Sequence, residues 1–168
     1  LAVCIRLEDR SWITRGLRDQ GIALFFAGEF AKARTIYEET ATILDDLGIE
    51  DWLVAVTQTD AALELGEYEY VRSEAESRLT AARQAALQPH VIGEWLVKLG
   101  EVAVAVQNYR GAEVYLQEAV DVLADTGLLN WLGFSTVFLG LAHRRRGKHG
   151  LAKDRAIEGL RLAARTEY

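Results

Sequence analysis

The stretch Gly28-Glu29-Phe30-Ala31-Lys32-Ala33 decides the fold of this chain, because a variant of it recurs along the sequence. Each copy has a glycine or asparagine turn, often followed by an aromatic residue, and then a run of periodically spaced apolar residues. The further copies are Gly66-Glu67-Tyr68, Gln107-Asn108-Tyr109-Arg110-Gly111-Ala112 and Gly147-Lys148-His149-Gly150-Leu151-Ala152. The turn positions 28, 66, 107 and 147 lie 38, 41 and 40 residues apart, which predicts an array of repeats.

The four tryptophans mark the same period, one in each repeat: Trp12, Trp52, Trp95 and Trp131. Three of them directly follow a residue type that favours a helix N-cap, namely Ser11, Asp51 and Asn130. Each repeat is therefore predicted to read as a first helix, a tight turn and a second helix.

Apolar residues at three- and four-residue steps support helices throughout, as in Tyr109, Ala112, Leu116, Ala119, Val120 and Leu123. No stretch shows a sustained strand-like alternation. The pattern predicts helices at 12–27, 30–46, 51–65, 68–86, 91–106, 109–125, 131–146 and 150–166. The predicted fold class is all-α, a right-handed α-solenoid of four antiparallel helix pairs.

The repeats resemble tetratricopeptide repeats, which place small residues at fixed offsets. The first repeat matches that family at Gly21, Gly28, Ala33 and Tyr37, and the third and fourth match at Gly100, Ala112, Ala119, Gly140, Gly147 and Ala152. The second departs most, with Thr59, Val71, Ala75 and Arg78 at the corresponding places. Gly21, Gly100 and Gly140 lack a Cβ, so we expect a partner helix to pack against their bare backbone.

Repeats of about 40 residues exceed the 34 of the standard tetratricopeptide unit. They resemble the helical arrays of large bacterial signal-transducing ATPases and LuxR-type, maltose-activator-like transcription regulators. We expect one repeat domain over residues 1–168, with units at 11–48, 49–88, 89–127 and 128–168 and a remnant of a preceding helix at 1–10. Because the chain has no methionine, we expect it to be part of a longer protein.

The sequence carries no recognisable chemistry. It has no phosphate-binding glycine motif, and its three histidines, His90, His143 and His149, do not have metal-ligand spacing. We expect His143 to be a satisfied core histidine, His149 to be solvated in a turn and Cys4 to be a small buried apolar residue. We therefore predict no catalytic residue, no metal ligand and no cofactor, and a protein that is not an enzyme. One cysteine fits the reducing cytoplasm, and no apolar run approaches the ~20 residues that cross a bilayer.

Charge is distributed unevenly along the 168 residues, whose net charge is −6. The four predicted units carry −2, −5, −4 and +5 in chain order. The run Arg144-Arg145-Arg146-Gly147-Lys148 is interpreted first as cations at a helix C-terminus, and otherwise as an anion or nucleic-acid site. An acidic body disfavours direct nucleic-acid binding and suits a polar protein partner or head-to-tail self-association.

In the tetratricopeptide pattern the first helix of each pair lines the inner, concave surface. The resemblance assigns to that groove the partner-binding candidates Arg15, Arg18, Ile22, Phe25, Phe26, Asp60, Glu64, Glu94, Lys98, Glu101, Arg144 and Arg145. It also places Val56, Val97 and Val137 there, although these are equally well explained by packing on neighbouring helices. Phe25 and Phe26 beside Arg15 and Arg18 form the strongest predicted contact surface.

Two functions remain open at this stage. The first is a noncatalytic interaction or scaffold module of a larger bacterial regulatory protein, which binds a peptide or helix in the groove. The alternative, implied by the maltose-activator resemblance, is a domain that senses a small-molecule effector. A closed polar pocket would favour the sensor and an open trough the protein partner.

The two ends of the chain are predicted to be open repeat faces. Residues 1–7 are apolar and are expected to lie against the first helix. In the last helix we expect Ala152, Ala156 and Leu160 to face its own partner helix, and Leu151, Ile157 and Leu162 to point away from it. These three would support a weak homodimer through the C-terminal helix.

Overall fold

The computed structural model describes residues 10–49 and 51–165, and every regular element in those ranges is an α-helix. In chain order the helices are α1 (Arg10–Phe26), α2 (Phe30–Asp46), α3 (Trp52–Glu64), α4 (Tyr68–Gln84), α5 (Pro89–Ala105), α6 (Tyr109–Leu123), α7 (Leu129–Arg145) and α8 (His149–Ala164). The predicted all-α fold and its eight helices are confirmed, and each helix end lies within two residues of the prediction. The chain divides into two compact units, Leu1–Tyr70 and Val71–Tyr168.

In the first unit α1 packs on α2 and α2 packs on α3. Ala33, Tyr37 and Ala61 are buried between these helices, with Leu24 and Phe25 packed against them. Gly21 faces the Tyr37 ring so closely that a Cβ at this position would overlap the ring. The predicted role of Gly21 at a helix crossing is therefore confirmed.

In the second unit the glycines show that consecutive helices are antiparallel. A Cβ on Gly93 would lie 2.8 Å from Leu123, and one on Gly100 would lie 2.5 Å from the Cγ of Leu116. As the chain advances along α5, its contact partner moves back along α6, which defines an antiparallel pair. The crossing predicted at Gly100 is confirmed.

Helices α7 and α8 pair in the same way. A Cβ on Gly140 would lie 3.2 Å from the Cβ of Arg155, and one on Gly133 would lie 3.5 Å from Leu162. Successive pairs share one core, in which Ala112, Leu116 and Val120 of α6 pack with Leu139 and Ala142 of α7. Within the two units, α2 packs on α1 and α3, and α6 packs on α5 and α7.

Helix α4 carries the weakest apolar pattern, and it spans the division between the two units. Its predicted stripe is nevertheless buried, at Val71, Ala75, Leu79 and Ala82. The other side of the helix is charged, so the apolar residues at three- and four-residue steps define its packed face.

One of the three predicted helix caps is correct. The Asp51 carboxylate accepts a hydrogen bond of 3.0 Å from the backbone N–H of Leu53 and caps α3. Asn130 lies inside α7, which begins at Leu129, and Ser11 lies inside α1, so those two predictions are wrong. In the third repeat the cap is Asn108, whose side chain accepts from the N–H of Gly111 at 3.0 Å.

The turns between paired helices require a residue in the left-handed backbone conformation, with a positive φ. Gly28, Gly66 and Gly147 have φ values of 77°, 78° and 74°, a region that glycine adopts without steric cost. The third repeat places Gln107 at φ 61° instead. The repeat therefore keeps the backbone conformation where it loses the glycine.

The C-terminal helix differs from the prediction in its rotation. Leu162 is buried, with only 7% of its surface exposed, and it lies opposite Gly133 of α7. Leu160 is 72% exposed. The predicted inward place for Leu160 and outward place for Leu162 are both wrong, because the glycines at 133 and 159 let α7 and α8 approach where Leu162 fills the space.

The predicted remnant helix at residues 1–10, with Cys4, falls almost wholly outside the described residues. Among the helices that are described, none is both long enough and apolar enough to cross a membrane.

Candidate functional site

The predicted contact surface lies on α1, whose exposed side carries Trp12, Arg15 and Phe26. Phe26 is 84% exposed and Trp12 is 53% exposed, although both are large apolar residues. Since successive helical residues turn by about 100°, positions 12, 15 and 26 share one side of the helix. The opposite side of α1 carries Leu17 and Gly21, which are buried.

The four side chains predicted to meet here are not drawn into one cluster. The Arg15 guanidinium stacks over the Trp12 ring, 4.8 Å from its centroid. Arg18 instead turns to Asp51 at the start of α3, with 3.5 Å between its Nη1 and the carboxylate. Arg15 therefore stays at the exposed surface, while Arg18 links two helices of the first unit.

Phe25 and Phe26 have different environments. Phe25 packs against the core around Ala33 and Tyr37, and its ring lies 5.3 Å from that of Phe30 in an edge-to-face arrangement. Phe26 touches Phe25 through one edge, 5.9 Å between centroids, and otherwise faces solvent. Of these two phenylalanines, Phe26 is thus the one that is accessible to a partner, and Ile22 on the same helix is half-buried.

On α3, Asp60 is half-buried and Glu64 is exposed at the C-terminal end. Asp60 lies near the hydroxyl of the buried Tyr37. Burial, assisted by the Asp60 charge and opposed by a hydrogen bond with Thr57, raises the pKa of Tyr37 to about 12. The Asp60 charge therefore influences the ionisation of a buried residue of the first unit, although Asp60 itself is half-buried.

The predicted groove charges of α5 are buried. Glu94, Lys98 and Glu101 have 2%, 4% and 8% of their surfaces exposed. The Lys98 Nζ lies 2.8 Å from a Glu101 oxygen and 4.0 Å from a Glu94 oxygen. These residues were predicted to face a partner, but the structure places them in the interior as an ion-paired group, because α5 is covered on almost every side.

On α7, Arg144 and Arg145 are exposed at the C-terminal end, as expected for cations near a helix C-terminus. The three valines predicted for the inner surface differ in burial. Val56 and Val97 are buried, in agreement with packing, and Val137 is half exposed.

Glu113 of α6 is a functional candidate that the sequence analysis missed. Its carboxylate accepts a hydrogen bond of 2.5 Å from the Lys148 Nζ, forms an ion pair with Arg146 and lies 3.6 Å from the His143 Nε2. One carboxylate thus joins α6 to the turn between α7 and α8. The signal in the sequence was a lone glutamate 35 residues before Lys148, which no short motif captures.

Two opposing effects act on the Glu113 pKa. Burial alone would raise it, but hydrogen bonds from Lys148 and Arg146, and the charges of these two residues, outweigh burial and lower the pKa below its ordinary value. Glu113 is therefore an ionised anchor and not a proton donor at neutral pH.

His143 is buried as predicted, with 4% of its surface exposed, but its hydrogen-bonding capacity is only partly used. Its Nδ1 has no hydrogen-bond partner among the described residues. Burial lowers the His143 pKa, the Glu113 charge opposes that effect, and the cations Lys148, Arg155 and Arg146 reinforce it. The structure thus favours a neutral imidazole at this place. His149, expected in a turn, is the exposed first residue of α8.

The first unit contains a similar junction with the charges reversed. Arg34 of α2 forms ion pairs with Glu67, which follows the Gly66 turn, and with Glu38, and its guanidinium lies 4.4 Å from the Tyr70 ring centroid. Burial would lower the Arg34 pKa, but the hydrogen bond and charge of Glu67 raise it. In both units, therefore, an ion pair connects the second helix of one pair to the turn within the next pair.

Two clefts lie on the second unit, and both are open to solvent. One, of about 440 Å³, is lined by charged side chains that include Arg110, Glu113, Asp121 and Arg146. The other, of about 560 Å³, lies around His90, Val122 and Leu128. The part of the chain that the structure describes contains no group of three or more histidine, cysteine or acidic residues arranged to hold a metal ion.

Comparison with known proteins identifies the fold. No protein-family model matches the chain. No curated protein matches it either. Among solved structures, BtubC (BKLC) from P. vanneervenii is similar with a TM-score of 0.75 and 16% identity, over 95% of this chain and 67% of that one.

Two structures of MamA are similar over almost the whole of both chains. The RS-1 ArsTM double mutant aligns with a TM-score of 0.61 and 16% identity, over 99% of this chain and 92% of that one. The MamA fragment 41-end from Desulfovibrio magneticus RS-1 gives the same TM-score and identity, over 99% and 93%. At this identity the likeness concerns the fold alone. It confirms that this chain is a tetratricopeptide-like helical array, while the resemblance to LuxR-type regulators stays a prediction.

Proposed function

We propose that this chain is a noncatalytic protein-interaction module of a larger bacterial regulatory protein, and that it binds a peptide or helix. The observation that carries the proposal is the exposed side of α1, where Phe26 is 84% exposed at one end and the stacked pair of Trp12 and Arg15 lies at the other. Aromatic and arginine side chains of this kind contribute most of the free energy in protein interfaces. The regulatory context rests on the repeat resemblance.

The size of the surface suits a segment of a protein partner. Trp12 and Phe26 are fourteen residues apart on one helix, which corresponds to about 21 Å. Both ends of this span are aromatic, and Arg15 and Asp19 lie exposed between them. A short amphipathic helix or an extended peptide could place an apolar residue at each end and a charged residue at the centre.

The runner-up is a domain that senses a small-molecule effector. Ligand pockets for small molecules bury most of the ligand surface. The two clefts of the second unit are open to solvent and would leave much of a small ligand exposed. This geometry favours the protein partner over the small-molecule effector.

The remaining candidates form a second, weaker group. Arg144 and Arg145 are exposed cations that suit an acidic partner, whereas Glu94, Lys98 and Glu101 would need a rearrangement of α5 to reach one. Since the two middle predicted units carry −5 and −4, we do not assign nucleic-acid binding to this chain.

Selection of a displayed library of helical and extended peptides against the purified chain tests the proposal. Affinities of the selected peptides are then measured for the wild type and for Phe26→Ala, Arg15→Ala and Leu151→Ala. We expect at least a tenfold loss for Phe26→Ala, a smaller loss for Arg15→Ala and no change for Leu151→Ala, which removes an exposed apolar side chain elsewhere.

Two outcomes would count against the proposal. If Phe26→Ala and Arg15→Ala leave the affinity for the selected peptides unchanged, the exposed side of α1 is not the binding surface. A library that yields no binder, together with a small metabolite that raises the melting temperature in a concentration-dependent way, would favour the sensor.

A further inference from the structure

One side of α8 has no covering helix among the described residues. It carries Lys153, Ile157, Leu160 and Ala164, all exposed, and we call it the open face of α8. Leu160, at its centre, is 72% exposed. Leu151 lies on the opposite side of the helix, since nine residues of rotation separate it from Leu160 by about half a turn.

The equivalent face of α6 is covered. The crossings at Gly100 with Leu116 and at Gly140 with Ala156 align the two helix pairs with an offset of 40 residues. Val120 then corresponds to Leu160, but Val120 is buried against Leu139 and Ala142 of α7.

Polar contacts complete that junction. Gln117, which corresponds to Ile157, accepts a hydrogen bond of 3.2 Å from Arg155. Glu113, which corresponds to Lys153, binds Lys148 in the turn between α7 and α8. On α6 this face therefore holds a complete helical hairpin.

The charge on this face predicts the charge of whatever covers it. In the second unit an acid, Glu113, pairs with Lys148, which directly follows the turn glycine. In the first unit the signs are reversed, and Arg34 pairs with Glu67, which directly follows Gly66. The open face of α8 has a cation, Lys153, at this place. It therefore matches a hairpin with an acid directly after its turn glycine.

The chain itself contains such a hairpin, formed by α1 and α2. Glu29 directly follows Gly28, and the turn has the same backbone conformation as at Gly66, with φ values of 77° and 78°. The Glu29 carboxylate, at the N-cap of α2, forms a local ion pair with Lys32. Aligned on the turn glycines Gly28 and Gly147, Gln20 and Ala23 of α1 correspond to Leu139 and Ala142, the packed residues of α7, and both are exposed.

We propose that copies of this chain associate head to tail, with the α1–α2 hairpin of one copy on the open face of α8 of the next. Glu29 pairs with Lys153, and Leu160 packs against Ala23 and the aliphatic part of Gln20. The first predicted unit carries −2 and the last +5, so the two ends attract. Because the surfaces differ, the contact leaves one end free after each addition and builds a linear series rather than a closed dimer.

This association replaces the symmetric dimer expected from the sequence, which relied on Leu162. It does not depend on the proposed function, because its contacts are those of Gln20, Ala23 and Glu29 and its test changes neither Arg15 nor Phe26.

Sedimentation velocity of the purified chain, from micromolar to millimolar concentration, tests the association. We expect the average mass to rise continuously past twice the chain mass of 18.7 kDa. Leu160→Glu should leave a monomer at every concentration. Leu151→Glu, which places the same charge on the opposite side of α8, should associate like the wild type. Unchanged melting temperatures would show that both variants fold.

Charge reversal identifies the two surfaces. Lys153→Glu and Glu29→Lys should each weaken association roughly five- to tenfold at low salt, because each replaces an attractive pair with a repulsive one. An equimolar mixture of the two variants should associate again, since every junction between unlike copies pairs opposite charges. The double variant should also recover.

Three results would overturn the proposal. The first is a wild type that stays monomeric throughout. The second is a mass that stops at the dimer and is indifferent to Glu29→Lys, which would indicate a symmetric contact through α8. The third is a mixture of the two single variants that associates no better than either variant alone.

Discussion

At the scale of single residues, the helices can cross closely because the glycines at the crossings have no side chain. A Cβ on Gly100 would lie 2.5 Å from the Cγ of Leu116, which is itself fully buried. We expect Gly100→Leu to lower the free energy of unfolding by about 3 kcal/mol, because the added side chain forces α5 and α6 apart. Chemical denaturation monitored by circular dichroism measures this difference.

Gly150 is the control for Gly100, since it is also helical but a Cβ there meets nothing within 4 Å. Gly150→Ala should leave the stability unchanged or raise it by up to about 1 kcal/mol through helix propensity. If Gly100→Leu unfolds at the same denaturant concentration as the wild type, the crossing of α5 and α6 is not where the structure places it.

His143 should make the stability depend on pH. Burial lowers its pKa in the folded state below the ordinary value of 6.5. Between these two pKa values the unfolded state binds more protons, so the free energy of unfolding falls as the pH drops below about 6.5. Glu113, whose folded pKa is also lowered, adds its own loss only below its ordinary pKa of 4.5.

Denaturation curves from pH 7.5 to pH 5 separate the two groups. We expect His143→Gln to show a clearly shallower decline across this range than the wild type. Equal slopes for the wild type and His143→Gln would mean that folding does not lower the His143 pKa.

At the scale of the helix, the rotation of α8 is a sharp test because two leucines exchange their predicted roles. Leu162 is buried opposite Gly133, and Leu160 is exposed. We expect Leu162→Ala to lower the free energy of unfolding by about 2–4 kcal/mol and Leu160→Ala to change it by less than about 0.5 kcal/mol. Thermal melts at a concentration where the chain is monomeric compare them, and the reverse order would restore the rotation predicted from the sequence.

The helices themselves could be predicted because their signals are local. Periodic apolar residues and the turn glycines placed all eight helices, and Gly21, Gly100 and Gly140 identified the crossings. Asp51 was recognised as a cap by its residue type alone. These features depend on residues a few positions apart, so one sequence suffices to show them.

The errors share a tertiary origin. Asn130 is a good capping residue, but α7 begins two residues before the predicted start, with Leu128 at the cap position. Lys98 and Glu101 look like surface charges, yet α5 is enclosed and they pair with each other. Glu113 was missed because its partners lie more than thirty residues along the chain. A local pattern does not record which helix covers which.

At the scale of the whole molecule, the second unit should be stable by itself, whereas one hairpin from it should not. The core of α6 and α7, which includes Leu116, Val120 and Leu139, lies entirely within Val71–Tyr168. Repeats gain most of their stability from neighbouring repeats, so a hairpin without a neighbour leaves its apolar face in water. The fragment 71–168 should be helical and unfold cooperatively, with a lower melting temperature than the whole chain.

The fragment 128–168 supplies the contrast, because it keeps α7 and α8 but loses the α6 face on which Leu139 and Ala142 pack. We expect its helical circular dichroism signal per residue to be well below that of the fragment 71–168, and its thermal melt to be broad. Glu113 is absent from the shorter fragment as well, so Arg146 and Lys148 lose the carboxylate that fixes the turn between the two helices. A shorter fragment as helical and as cooperative as the longer one would mean that the α7–α8 hairpin is self-sufficient. The junctions that hold α6 to the turn, and those proposed between copies, would then add little to the stability of the fold.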